Sequence, residues 1–86
     1  MTASEPIRVV VVDDHPLFRI GIISLLETLE GVEVVGSAET ADEAVEVVLA
    51  ASPAVVLMDL DLAAGSSGID ATRRINRERP DIGVLV

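Results

Sequence analysis

Two stretches decide the fold of this chain: Ile7-Arg8-Val9-Val10-Val11-Val12-Asp13-Asp14 and Ala54-Val55-Val56-Leu57-Met58-Asp59. Each is a near-continuous aliphatic run, the pattern of a strand buried on both faces, as in parallel sheets covered by helices. Each run ends in aspartate.

Outward from the first run, Pro16 is well placed for the first turn of a helix, where its missing N–H costs nothing. Phe18, Ile22, Leu25 and Leu29 then recur at helical spacing and predict an apolar stripe facing the core. The helix should end near Glu30 and Gly31, where glycine suits a C-cap. Val32 to Ala38 reads as a second strand, and Glu33 within it suggests a sheet edge with one side in solvent. Thr40 and Glu43 form a capping box, opening a helix whose Ala41, Ala44, Val45 and Val48 share one face. Beyond the second diagnostic run, Leu60 to Gly68 holds glycines and serines and reads as a loop. Ser67 with Asp70 can cap a third helix running to about Arg77. Pro80 and Asp81 turn the chain into a last apolar run, Ile82 to Val86. The alternation predicts an α/β fold: a doubly wound parallel sheet with right-handed crossovers and helices on both faces.

With 86 residues, half of them apolar, the chain can hold one small core and no second domain. The net charge of −9 repels a polyanion, and aromatic residues make up only 1%, so direct nucleic-acid binding is not expected. All six cationic side chains are arginines. The absence of cysteine fits a reducing compartment. Met1 to Pro6 has no secretion-signal pattern, and no apolar run approaches the roughly 20 residues of a membrane helix. A soluble cytoplasmic protein without membrane contact is the expectation. A chain that closes on a bare apolar strand leaves a sheet edge unpaired. That predicts a truncated domain, or a homodimer in which a second copy supplies the missing wall.

In an open doubly wound sheet, ligands bind at the carboxyl ends of strands where the winding order reverses, which in the flavodoxin-like order lies between the first and third strands. Asp13 and Asp14 follow the first strand and Asp59 closes the third. With neighbouring strands about 4.8 Å apart, the three carboxylates should crowd one crevice. A hard divalent cation with oxygen ligands relieves their repulsion, and Mg²⁺ is the natural candidate, since phosphate oxygens readily replace its waters. An aspartate beside such a metal can act as nucleophile and become an aspartyl phosphate. A plainer role exists for one of the three, because Asp14 could cap the helix at Pro16.

Val11-Val12-Asp13-Asp14-His15-Pro16-Leu17-Phe18-Arg19, Val56-Leu57-Met58-Asp59-Leu60 and Ile69-Asp70-Ala71-Thr72-Arg73-Arg74-Ile75 together resemble the receiver domains of two-component response regulators, nearest to the NarL/FixJ type. The resemblance covers nearly the whole chain. It implies the CheY-like receiver fold over residues 1–86, incomplete after the fourth strand, with the effector domain absent. It further implies Asp59 as phosphoacceptor, Asp13, Asp14, Asp59 and the backbone carbonyl of Asp61 as protein ligands of Mg²⁺, a histidine kinase as phosphodonor, and control of transcription through a DNA-binding output domain. The sequence departs from the family pattern in two ways. Ala63 stands where a proline is usual, with one extra residue before Gly68. The Ser or Thr after the fourth strand and the lysine on the fifth have no counterpart here.

The remaining candidates have plain readings. His15 beside Pro16 reads as a turn residue. Arg73, Arg74, Arg77 and Arg79 read as a solvated face, Ser66 and Ser67 as loop and cap residues, and Met58 as core. Two competing functions are a non-phosphorylated interaction fragment and a haloacid-dehalogenase-type phosphatase. The latter rests on Asp59-Leu60-Asp61, although its motif normally follows the first strand.

Overall fold

The computed structural model describes residues 5–60, 62 and 67–86. In chain order the elements are β1 (Ile7–Val12), α1 (Pro16–Glu27), β2 (Val32–Ala38), α2 (Ala41–Ala51), β3 (Val55–Met58), α3 (Gly68–Glu78) and β4 (Gly83–Leu85). The strands form one parallel sheet in the order β2-β1-β3-β4, so the winding reverses between β1 and β3 as the sequence predicts. β2, with its exposed Glu33, is indeed an edge strand.

The core lies on one side of the sheet. Alternation along each strand sends Val10 and Val12 of β1 and Val56 and Met58 of β3 to the face covered by α2 and α3. There they meet Ala41, Ala44, Val45 and Val48 of α2, the face the sequence predicts, with Ala71 and Ile75 of α3. The starts of α2 and α3 are fixed by side-chain caps. Thr40 Oγ1 accepts from the Glu43 amide at 3.2 Å, and Ser67 Oγ accepts from the amides of Ile69 and Asp70. Glu43 reaches back one residue further than a capping box requires, accepting from the Glu39 amide at 2.7 Å. Across the helix pair, Arg74 Nη1 lies 2.7 Å from Asp42 Oδ1, and Arg79 forks onto Asp81. Arg73 and Arg77 stay exposed, in keeping with the solvated-face reading.

The other face differs from expectation. No residue of α1 is buried, and Phe18, Leu25 and Leu29 of the predicted stripe are at least half exposed. The side turned inward is instead Arg19, Ile22, Ile23 and Leu26, all half-buried. The helix also stops at Glu27 with Thr28 as its cap, so Gly31, at φ 81°, serves the turn into β2 rather than the helix end. The reason lies in the placement of α1, which packs mainly over β1 and β2. Toward β3 and β4 it leaves an open groove of about 1060 Å³, walled by Val11, Phe18, Ile22, Leu57, Leu85 and Val86.

Candidate functional site

The sheet ladder sets two aspartates side by side. In the β1–β3 register Val12 pairs with Met58, so the next position on each strand is Asp13 and Asp59. Their amides continue the ladder past the strand ends: Asp13 N–H donates to Ala38 O and Asp59 N–H to Val12 O, both at 3.0 Å. Asp14 follows on the same turn. Oxygens of Asp13, Asp14 and Asp59 and a ring nitrogen of His15 lie within 4.8 Å of one another. The crevice predicted from the strand ends is therefore present, and the three predicted acids meet in it.

His15 is where the sequence reading falls short. Its Nδ1 sits 3.0 Å from Asp13 Oδ1, 3.0 Å from Asp14 Oδ1 and 3.9 Å from Asp59 Oδ2, so it belongs to the cluster and is more than a turn filler. Its hydrogen bond with Asp13, followed by the charges of Asp14 and Asp59, raises its pKa above the usual imidazole value. The helix cap also differs from expectation. His15 itself is the N-cap residue of α1 and makes no side-chain cap, while Asp13 Oδ1 accepts the His15 amide at 2.8 Å. Asp13 Oδ1 thus braces the turn ahead of the helix rather than capping it.

Arg19 was not singled out by the sequence, although it lies within the family-like stretch. One turn into α1, it donates from Nη1 to the carbonyl of Asp13 at 2.7 Å and pairs with Glu39 at 3.2 Å. It clamps the end of β1 to the start of α1 and to the segment after β2. The signal available beforehand was a cation one turn into the helix that follows an acid pair.

Burial grades the cluster from floor to mouth. The Asp13 side chain is 8% exposed, Asp14 22%, Asp59 27% and His15 69%. Asp14 Oδ1 is itself buried yet accepts no hydrogen bond, since His15 Nδ1 approaches it without hydrogen-bond alignment. A buried acceptor without a donor normally costs free energy, and a cation within reach removes that cost. Hard oxygen donors of this kind fit a divalent metal ion such as Mg²⁺. Asp61, expected to add a backbone carbonyl, and Ala63 and Ser66 lie outside the described residues. The cluster stands at the end of the apolar groove, whose lining includes Asp13, His15 and Asp59. No helix among the described residues is long and apolar enough to cross a membrane.

The sequence pattern of the response regulator receiver domain matches residues 9–86. Response regulator GacA of Pseudomonas aeruginosa is 44% identical over 80 residues, 93% of this chain and 37% of that protein. Transcriptional regulatory protein LiaR of Bacillus subtilis is 41% identical, with the same coverage. Among solved structures, the signal receiver domain of NarL from Mycobacterium tuberculosis superposes with a TM-score of 0.86 at 36% identity, over 94% of this chain and 64% of that one. The response regulator domain of Thermotoga maritima CheB gives 0.87 at 32%, over 93% and 58%. The chain thus spans well under half the length of the curated relatives it matches.

Proposed function

The chain belongs to the response regulator receiver family, and from that membership we propose that it is a signalling receiver whose Asp59 accepts a phosphoryl group from a histidine kinase. The observation that carries this reading is the meeting of Asp13, Asp14 and Asp59 at the point where the winding of the sheet reverses. Asp13, Asp14 and Asp59 would hold Mg²⁺, and resemblance to the family adds the backbone carbonyl of Asp61 as a further ligand. The metal, when bound, neutralises the carboxylates and the incoming phosphoryl oxygens. A carboxylate oxygen of Asp59 attacks phosphorus, and the bond from phosphorus to the donor breaks with its electron pair leaving on the donor. Asp13 and Asp14 keep their places because the ladder bond to Ala38, the Arg19 clamp and the His15 amide fix the turn that carries them.

Residues 1–86 are on this reading the receiver portion of a cytoplasmic transcriptional regulator. Contact with DNA falls to an output domain outside them, consistent with one longer relative, LiaR, being named a transcriptional regulatory protein. The phosphatase alternative finds no support, since Asp59 follows β3 and the family matched is a signalling one. A second reading, a fragment that works by pairing with another copy, draws on the edge position of β4 and its exposed Leu85.

Intact mass of the purified chain after incubation with acetyl phosphate, with and without Mg²⁺, separates the two readings. A Mg²⁺-dependent gain of one phosphoryl group, absent in Asp59→Asn, is the result expected of a receiver. No gain in a sample that circular dichroism shows to be folded defeats the receiver reading for this chain and leaves the pairing fragment.

A further inference from the structure

We propose that His15 is a ligand of the cation in this site and makes it a mixed nitrogen and oxygen centre that favours borderline dications such as Ni²⁺ over Mg²⁺. The proposal rests on the reading of Asp13, Asp14 and Asp59 as a cation site and adds a fourth donor to it.

The geometry comes first. Donors in neighbouring positions of an octahedral shell with bonds of about 2.1 Å stand about 3.0 Å apart, and opposite ones about 4.2 Å. His15 Nδ1 lies 3.0 Å from Asp13 Oδ1 and from Asp14 Oδ1, and 3.9 Å from Asp59 Oδ2. The first two distances are shell edges, and the third falls between an edge and a diagonal. A cation can therefore sit between Nδ1 and these carboxylate oxygens while the ring stays close to its present place. The ring is also free to adjust, being 69% exposed and on a residue whose backbone, through its amide to Asp13, is held at the mouth of the crevice.

The chemistry follows from donor type. An imidazole nitrogen adds little for Mg²⁺, which prefers oxygen and holds its waters. For Ni²⁺, Cu²⁺ or Zn²⁺ it is a preferred ligand, and affinity rises along the divalent series. Asp14 Oδ1, buried and without a hydrogen bond, sits directly beside that nitrogen and completes the pair of donors a borderline metal would bridge. His15 is the chain's only histidine, and there is no cysteine, so no other imidazole and no thiolate competes for the metal.

Isothermal titration of the purified 86-residue chain with NiCl₂ and MgCl₂, for the native sequence, His15→Gln and Asp59→Asn, is the test. Loss of about tenfold or more in Ni²⁺ affinity in His15→Gln, with Mg²⁺ affinity changed by less than about threefold, is expected. A second readout is pulsed electron paramagnetic resonance of bound Cu²⁺, which should show the remote nitrogen of one imidazole in the native chain and none in the variant. Equal Ni²⁺ affinity in both proteins, or Cu²⁺ bound without an imidazole signal, overturns the role of His15. Mg²⁺ binding that is absent, or unchanged in Asp59→Asn, defeats instead the underlying assignment of the carboxylate site.

Discussion

The backbone amide and the ring Nδ1 of His15 converge on a single oxygen, Oδ1 of Asp13, at 2.8 and 3.0 Å. One carboxylate oxygen thus holds both the turn and the ring, with Asp14 Oδ1 a further 3.0 Å from the same nitrogen. When protonated, the ring is a local counter-charge to the acid cluster.

A raised His15 pKa follows from that contact, and its sign can be checked directly. The folded chain binds this proton more tightly than the unfolded chain does. The stabilising contribution is therefore complete below pH 6.5, the ordinary value, and is lost as pH rises through the higher folded value. Because the ring is largely in solvent, the titration midpoint is a better measurement than stability. NMR of the one histidine should place the midpoint above 6.5 without metal and bring it back toward that value in Asp13→Asn, which removes the largest cause. A native midpoint at or below 6.5 would show that the contact does not persist in solution.

Gly68 is the tightest point behind the site. Its amide donates to Leu60 O at 3.0 Å, and a Cβ there would meet the carbonyl oxygen of Asp59 and come within 2.7 Å of the Leu60 Cα. Those are backbone atoms that cannot rotate aside. Gly68→Ala should therefore push α3 away from the end of β3, costing about 1–3 kcal/mol by chemical denaturation. It should also slow phosphorylation of Asp59 by acetyl phosphate. Unchanged stability would mean that Gly68 is not packed against the Asp59 and Leu60 backbone in solution.

Gly21 offers the opposite case. It lies in the interior of α1, exposed, and a Cβ there would find nothing within 4 Å. Gly21→Ala should raise stability by about 1 kcal/mol, the difference in helix propensity, and leave phosphoryl acceptance alone. Thermal denaturation of the two glycine variants side by side tests whether space, and not the loss of glycine as such, sets the sign.

Much of this arrangement was legible in the sequence, for reasons that differ by element. The Ala41, Ala44, Val45 and Val48 face of α2 could be read because its other positions, such as Asp42, Glu43 and Glu46, are charged. Strand β1 could be read because an unbroken aliphatic run fits only a strand covered on both sides, and the two aspartates past its end then mark the crevice. For α1 the same method misplaced the inward face. Pro16 to Glu27 is apolar nearly all round, so a stripe through Phe18, Ile22 and Leu25 and one through Ile22, Ile23 and Leu26 fit the periodicity equally well. Only the position of the helix over β1 and β2 decides between them. The place of His15 in the cluster was missed because it depends on three side chains meeting across two strands and a turn, which spacing along one strand does not encode.

The two faces of the sheet should respond very differently to truncation. Ile75 is fully buried between α3 and the sheet, so Ile75→Ala removes apolar contact and leaves a cavity, at a cost of about 2–5 kcal/mol. A buried phenylalanine cut back to alanine would cost at least as much, but Phe18 is 62% exposed on the rim of the open groove. With most of its surface already in water, Phe18→Ala should cost less than about 1 kcal/mol, and it should weaken binding of a hydrophobic dye to the native chain. Urea denaturation and dye fluorescence of both variants measure the contrast. If Phe18→Ala proves as costly as Ile75→Ala, the groove is filled in solution, by a second copy or by rearrangement of α1. A dependence of that cost on protein concentration then identifies the second copy, since only an intermolecular contact weakens on dilution.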